Sequence, residues 1–226
     1  MKIQIASDLH LEFIQRTMPG ECIITPVPGA ELLILAGDIA NGADALELFA
    51  NWPVPVLYIT GNHEFYEHPI SGIRGKLQVL ADKSNGHLHH LQDSAVVING
   101  VRFLGCTLWT DYLLNPYFSQ AVTMSHAEAC LNDHRLIRTG RHIFMARHAL
   151  AEHEKSRQWL ATELAKPFAG KTVVVTHHGP HPLSTHPKYK GNLLTPAFIS
   201  DLSELLPGAD LWLHGHVHDG VDYQVG

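Results

Sequence analysis

Asp, Asn and His side chains follow short apolar segments at five places along this chain of 226 residues. In chain order these motifs are Asp8-Leu9-His10, Gly37-Asp38, Gly61-Asn62-His63-Glu64, His177-His178-Gly179 and Gly215-His216-Val217-His218. Carboxylate, amide and imidazole donors without a thiolate suit Mn, Fe, Co, Ni or Zn. One motif alone indicates little, because a Gly-Asp after a strand is usually a turn. Repetition at the same structural position predicts one shared metal site.

The elements that must position these side chains are short β-strands. Apolar runs without alternation indicate strands that are covered on both faces. The predicted strands cover 2–7, 31–37, 54–61, 101–107, 171–177 and 209–215. The motifs therefore lie at the carboxyl ends of strands, where open α/β sheets place their ligand sites.

Helix-like segments alternate with the strands, which predicts an α/β layered fold. They cover 42–52, 70–83, 115–137, 144–166 and 195–206. Asn99-Gly100 between two apolar runs predicts a tight hairpin, so the sheets are expected to be mixed. We predict a single domain over residues 1–226, in which the helical segment 112–167 is an insertion or cap. Its five histidines are expected mostly at solvated helix positions.

Alternate residues of an extended segment point to opposite faces, so the Asp-x-His and His-x-His motifs require loop geometry to bring their side chains together. This applies to Asp8 with His10 and to His216 with His218. Glycine adopts conformations that other residues avoid. Gly215 is therefore predicted to supply the conformational freedom in the second motif.

Composition limits the classes of function. A formal net charge of −6 argues against extensive nucleic-acid binding, which requires many Lys and Arg contacts. Cys22, Cys106 and Cys130 are widely spaced, which suits a reducing compartment. No signal-peptide pattern and no apolar segment of roughly 18 to 20 residues occurs. These features predict a soluble, cytoplasmic protein without a membrane partner, and they predict no oligomeric state.

As an ordered set, the motifs resemble those of the calcineurin-like metallophosphoesterase superfamily, in particular its small bacterial-type members. The resemblance extends from residue 8 to residue 218. It implies an α/β fold, a four-layer αββα sandwich of two mixed β-sheets. It also implies a metal-dependent hydrolase that cleaves a small, nucleotide-like phosphomonoester or phosphodiester. Its family mechanism is in-line attack by a metal-bound hydroxide at a centre of two divalent ions (Mn, Fe, Zn, Co or Ni).

The resemblance also implies roles for individual residues. The matched metal ligands are Asp8, His10 and His218 for one ion, Asn62, His177 and His216 for the other, and Asp38 as the bridge. His63 matches the catalytic histidine that protonates the leaving oxygen or stabilises the transition state, and Glu64 is expected to support this loop. His177 and His178 compete for one ligand role. The family pattern places the ligand two residues before the glycine, which selects His177.

Substrate contacts are predicted for five further residues. They are His178, Tyr66, Trp109, Arg135 and Arg138. Guanidinium groups match phosphate oxygens, although a solvated basic face is the simpler explanation of the arginines. The aromatic residues could line a base or aryl pocket, although large aromatics near strand ends often belong to the core. His178 could reach the substrate phosphate or pack.

Other branches of the superfamily and other classes of function are alternatives for this sequence. Gly37-Asp38 is not followed by the Asp-Arg-Gly of the superfamily's phosphoprotein phosphatases, so a phosphoprotein substrate is not expected. The DNA-repair nucleases of the superfamily share the ligand set but are larger. Two further alternatives are a non-catalytic scaffold that binds a partner through residues 112–167, and a mononuclear metal-binding or nucleotide-binding module.

Overall fold

The computed structural model describes residues 1–18 and 24–225, so Cys22 lies outside the described residues. Its first sheet contains β1 (Ile3–Ala6), β2 (Leu32–Ala36), β3 (Val56–Ile59) and β4 (Leu88–His90). The strands lie in the order β1-β2-β3-β4, and each pairs in parallel with its neighbour. All carboxyl ends of this sheet therefore face one edge.

The second sheet begins with a hairpin of β5 (Ser94–Ile98) and β6 (Val101–Cys106), which are antiparallel. A separate short ribbon follows, formed by β7 (Arg138–Thr139) and β8 (His142–Ile143). β9 (Thr172–Thr176) and β10 (Leu211–Leu213) complete the second sheet in the order β10-β9-β6-β5. The predicted hairpin is confirmed, and Asn99 and Gly100 at its turn have φ values of 50° and 77°. This mixed sheet thus faces a fully parallel one.

Six α-helices accompany the sheets in the described part of the chain. They are α1 (Leu11–Thr17), α2 (Asp44–Leu48), α3 (Ile70–Lys83), α4 (Gln120–Cys130), α5 (Asp133–Leu136) and α6 (Ala146–Leu164). The prediction for 70–83 is confirmed in full, whereas the predicted helix over 115–137 is divided into α4 and α5. Among the described residues, no helix has both the length and the apolarity needed to cross a membrane.

Alternate residues of the buried strands separate the core into layers. Leu33 and Leu35 of β2 pack with helical residues on the outer face of the first sheet. Ile34, in contrast, packs between the sheets with Phe103 and Val175. On the outer face of the second sheet, a third cluster includes Leu160 of α6. The resulting order of helix, sheet, sheet and helix confirms the αββα fold class.

The two sheets approach each other closely at β6. A Cβ added to Gly105 would lie 2.5 Å from Ile59 Cδ1 and 2.6 Å from Leu91 Cβ. Any larger residue would push the sheets apart at this point, because a tightly packed core has no space to accept it. Gly105 therefore helps to align the ends of β3 and β6 beside the site.

The predicted helix over 195–206 is wrong. Only single 3-10 turns form there, at Thr195–Ala197 and Leu206–Gly208. Between these turns Ile199 forms a parallel bridge with Gly179. The Gly179 N–H donates to the Phe198 carbonyl at 3.0 Å, and the Ser200 N–H donates to the Gly179 carbonyl at 3.0 Å. Strand-like pairing thus replaces the helical hydrogen bonds.

Candidate metal centre

The polar residues after β1, β2, β3, β9 and β10 meet at one edge of the two sheets. Three groups of side chains each hold their donor atoms within 4.8 Å of one another. The groups are Asp8 with His10 and His218, His10 with Asp38 and His63, and Asp38 with His177 and His216. Asn62 joins them, since its Oδ1 lies 3.2 Å from His177 Nε2. The predicted ligands therefore share one site, and Asp38 connects its two halves.

Strained backbone brings these side chains together. The residues with left-handed φ values are Asp8 (54°), His10 (46°), Asp38 (54°), His216 (68°) and His218 (50°). Each such residue costs about 1–2 kcal/mol relative to an ordinary conformation, and such strain concentrates at functional sites. Alternate residues can then face the same cavity, which an extended segment does not permit.

Gly215 has a different role from the predicted one. It is not among the residues with positive φ, and its neighbours His216 and His218 adopt that conformation instead. A Cβ at Gly215 would lie 2.6 Å from Asp8 Oδ2 and 2.8 Å from Ser7 Cβ. Glycine is needed here because the two terminal motifs approach closely.

His177 is oriented by the backbone of the first sheet. Its Nδ1–H donates to the Ala36 carbonyl at 2.9 Å, which directs Nε2 into the site. There Nε2 lies 3.3 Å from Asp38 Oδ2 and 3.1 Å from His216 Nδ1. A metal-ligating histidine is commonly fixed by such a hydrogen bond from its other ring nitrogen. The arrangement favours His177 as the ligand over His178.

The electrostatics of the site fit bound cations. Burial opposes protonation of His177, but the Asp38 carboxylate raises the pKa of His177 to about 10. The hydrogen bond from His218 to Asp8 raises the pKa of the imidazole, and the pKa of Asp8 is lowered despite its burial. The carboxylates thus attract positive charge into the cavity. A Cβ at Gly61 would press on Asp38 Oδ1 and lie 2.7 Å from His177 Nε2, so glycine keeps this space clear.

Glu64 supports the site from beneath and is fully buried. Its carboxylate accepts backbone N–H groups from Asp38 at 3.1 Å, Ile39 at 2.8 Å and Gly61 at 2.7 Å. The Tyr58 hydroxyl donates to it at 2.7 Å. Burial raises the pKa of Glu64 to about 7, with the Asp38 charge as the next cause. The side chain joins the loops after β2 and β3.

Glu12 is a site residue that sequence reasoning missed. Its Oε1 accepts from His63 Nδ1 at 3.2 Å and from His10 Nδ1 at 3.4 Å. Burial opposes its ionisation, but these two histidines lower the pKa of Glu12 to about 2. Its position in the first turn of α1, two residues after His10, was the available signal.

Asp133 was missed as well, and no local motif marks it. Its Oδ1 accepts from Asn62 Nδ2 at 2.9 Å and from the Tyr66 hydroxyl at 2.8 Å. Asn62 Nδ2 also donates to the Tyr66 hydroxyl at 3.2 Å, and its two bonds turn the amide so that Asn62 Oδ1 faces His177. The Tyr66 ring also lies 4.2 Å from the His63 ring, between centroids. Asp133 of α5 therefore connects the segment 112–167 to the site.

The other residues predicted to contact substrate lie behind the site or away from it. Trp109 and His178 are only 2% and 1% exposed, and their ring centroids are 5.1 Å apart. Burial lowers the pKa of His178 to about 3, and its Nδ1 donates to the Thr107 carbonyl at 3.1 Å. Arg135 and Arg138 donate to the backbone carbonyls of Ala129 and Arg135, respectively, within their own segment.

A cavity of about 320 Å³ opens beside the metal-ligand cluster. Its lining residues come from 184–199 and from the His216-Val217-His218 motif. Sequence reasoning did not point to this cavity, because the segment 184–199 carries no recognisable motif and folds irregularly.

Known proteins share sequence features and the fold with this chain. A family model described as calcineurin-like phosphoesterase matches residues 1–220. The crystal structure of a phosphopantetheinyl hydrolase from Mycobacterium tuberculosis aligns with a TM-score of 0.71 and 18% identity, over 98% of this chain and 85% of that chain. A structure described as a novel archaeal phosphodiesterase aligns with a TM-score of 0.34 and 22% identity, over 59% of this chain and 69% of that one. No curated protein matches this sequence.

Proposed function

Since this chain belongs to the calcineurin-like phosphoesterase family, we propose that it hydrolyses phosphoester bonds at a centre of two divalent metal ions. The observation that carries the proposal is the set of overlapping donor groups joined through Asp38 and His10. Two ions held there would neutralise phosphate charge and lower the pKa of a bound water toward about 7.

The proposed ligands divide into two sets that share one carboxylate. They are Asp8, His10 and His218 for one ion, Asn62, His177 and His216 for the other, and Asp38 for both. Carboxylate oxygen and imidazole nitrogen are suitable donors for Mn, Fe, Co, Ni or Zn. The contacts from Glu64, Asp133 and the Ala36 carbonyl hold these ligands in position.

His63 is the proposed general acid. Its backbone N–H donates to Asp38 Oδ1 at 2.8 Å, which keeps the residue beside the centre. Glu12 accepts from Nδ1, so Nε2 is the nitrogen that can hold a proton toward a leaving oxygen. Such proton transfer typically contributes 10²–10⁴-fold to a rate.

The proposed substrate is a small phosphomonoester or phosphodiester. The net charge of −6 disfavours a nucleic-acid duplex as substrate. The proposal includes Mn as one suitable metal and a cytoplasmic location. The latter is supported by Cys106 and Cys130, which are free thiols in the described part of the chain.

The test is turnover of bis-p-nitrophenyl phosphate and p-nitrophenyl phosphate by the Mn-loaded protein. Asp38→Ala removes the shared ligand, and His63→Asn should lower kcat by about 100-fold or more. His142→Ala, at an exposed histidine of β8, is the matched control and should retain wild-type turnover. A phosphopantetheinyl protein belongs in the substrate panel because of the structural neighbour's name. Equal turnover by all variants would overturn the proposal.

Metal content provides a second measurement. Elemental analysis should give two ions per loaded chain and fewer in Asp38→Ala. One ion per wild-type chain would favour a mononuclear module. Two ions without turnover of any phosphoester would favour the non-catalytic scaffold.

A further inference from the structure

The cavity of about 320 Å³ beside His216 and His218 points to a binding site for the organic group of the substrate. We infer that this group is uncharged and largely apolar. The inference rests on the proposed function and deepens it, because it specifies what the phosphate is attached to.

The cavity lies directly beside the proposed metal centre. His216 and His218, proposed as ligands of different ions, both belong to its lining. The Phe198 ring lies 4.6 Å from the His216 ring at an interplanar angle of 22° and forms part of the same wall. A phosphate held at the centre would therefore have its ester group next to this opening.

The residues that line the cavity favour an uncharged organic group over a charged one. Its apolar members are Tyr189, Leu194, Phe198, Ile199 and Val217. Its other members besides the two ligands are the uncharged residues Ser184, Thr185, Asn192 and Thr195, together with His186, whose Nε2 lies 3.8 Å from Asp219 Oδ2. Among the described lining residues there is no Asp, Glu, Lys or Arg. A charged group placed here would lose water without a free ion-pair partner, since His186 already faces Asp219, and this loss is costly.

The walls of the cavity are held by local hydrogen bonds. Asn192 Oδ1 accepts the Leu194 N–H at 2.8 Å, and Thr195 Oγ1 donates to the Tyr189 carbonyl at 2.9 Å. The bridge between Gly179 and Ile199 attaches this segment to the end of β9. The volume lies at the lower end of the range of about 300–1,000 Å³ for small-molecule sites. The cavity is thus formed before a ligand enters and suits a short organic group.

Binding of n-alkylphosphonates to the Mn-loaded protein tests the inference without requiring turnover. Isothermal titration of methyl-, butyl- and hexylphosphonate should give a Kd that falls about fourfold per added methylene until the cavity is filled. A butylphosphonate that ends in a carboxylate should bind no more tightly than methylphosphonate, because the one lining imidazole besides the two proposed ligands, His186, already faces Asp219.

Variants of the lining residues test whether the gain in affinity per methylene arises in this cavity. Tyr189→Ala and Leu194→Ala should reduce the gain per methylene to about half. Tyr189 is 45% exposed, so this variant should fold. Phe118→Ala is the matched control, since Phe118 is an exposed aromatic outside the lining and should leave the gain unchanged.

The outcomes separate this inference from the proposed function. A Kd that is independent of chain length, or tight binding of the carboxylate-tailed compound, would overturn the inference while phosphoester turnover could still stand. Absence of methylphosphonate binding together with absence of turnover would reject the proposed function itself.

Discussion

At the scale of single residues, the orientation of His63 depends on one carboxylate. Glu12 Oε1 contacts the Nδ1 atoms of both His63 and His10, so one side chain fixes a proposed general acid and a proposed ligand. A carboxylate can only accept hydrogen bonds, which requires a proton on each Nδ1. Both imidazoles therefore present Nε2 to the centre.

Removing this acceptor should damage the reaction more than the fold. We expect Glu12→Ala to lower kcat by about 10–100-fold, because supporting residues of metal sites contribute on this order. Glu12→Gln keeps an acceptor oxygen and should retain more of the activity. The measurements are kcat and metal content for both variants.

Glu154→Ala, an exposed acid of α6, serves as the control and should behave as wild type. If Glu12→Ala had the wild-type kcat and metal content, the orienting role of Glu12 would be excluded.

The sequence motifs indicated residues that the fold brings together, but most of the residues that support them were not predicted. Asp8, Asp38 and His177 were predicted from motifs, because ligands at strand ends leave a local pattern. His134 and His153 were expected to be solvated but are buried, with Nδ1 bonded to the carbonyls of Phe144 and Trp109. These contacts join distant segments, which no local pattern records.

At the scale of elements, α5 connects residues 112–167 to the loop after β3. Asp133, the buried first residue of α5, receives hydrogen bonds from Asn62 and Tyr66. The helical segment therefore contributes to the geometry of a proposed ligand, although it supplies no ligand itself.

Asp133→Ala should consequently weaken metal binding. The Asn62 amide would lose the shorter of its two hydrogen bonds and keep only the one to the Tyr66 hydroxyl at 3.2 Å, so we expect metal affinity to fall about 10–100-fold. Tyr66→Phe removes one donor to Asp133 and the longer Asn62 bond, at 3.2 Å, but leaves the 2.9 Å bond from Asn62 to Asp133, so its affinity should change less. Titration of Mn into metal-free protein, with circular dichroism as a check on folding, measures both effects. Equal affinity of Asp133→Ala and wild type would contradict this link.

A helix held by local hydrogen bonds could be predicted from the sequence, whereas a segment held by pairing with a distant residue could not. The segment 70–83 forms α3 throughout, with Ile73 and Leu77 buried on one face. The segment 195–206 also has a helical sequence pattern, but Ile199 pairs with Gly179 instead. Pairing between segments that are distant in sequence overrode the local preference and produced the cavity wall.

At the scale of the whole molecule, buried histidines couple stability to pH. His90 of β4 is buried, and burial lowers its pKa to about 4. In the unfolded chain its pKa is about 6.5, so acid protonates the unfolded state first. The contribution of neutral His90 to stability is therefore complete above about pH 6.5 and is lost as the pH decreases from about 6.5 to about 4.

His90→Gln should remove this part of the pH dependence. Between pH 6.5 and 4, the free energy of unfolding of wild type should fall by up to about 3 kcal/mol more than that of the variant. Urea unfolding in EDTA measures the difference without metal. His142→Gln, at an exposed position, should follow wild type. If the free energy of unfolding changed with pH in the same way for wild type and His90→Gln, His90 would not contribute to the pH dependence of stability.

Metal binding should stabilise the whole fold, because the proposed ligands come from both sheets and from both ends of the described chain. An ion present at about 100 times its Kd adds about 2.7 kcal/mol to the stability. The ligating imidazoles must be neutral, and His177, whose pKa is raised to about 10, must lose its proton when the ion binds. Acid therefore opposes binding.

The increase in Tm produced by Mn should accordingly be large at pH 8 and shrink progressively toward pH 6. Scanning calorimetry with Mn and with EDTA at each pH measures it, and a change in Tm common to both conditions is subtracted. Asp38→Ala, without the shared carboxylate, should show a smaller increase at every pH. If the increase in wild type were the same at pH 6 and pH 8, imidazole ligation would be untenable, since neutral nitrogen donors must compete with protons in this range.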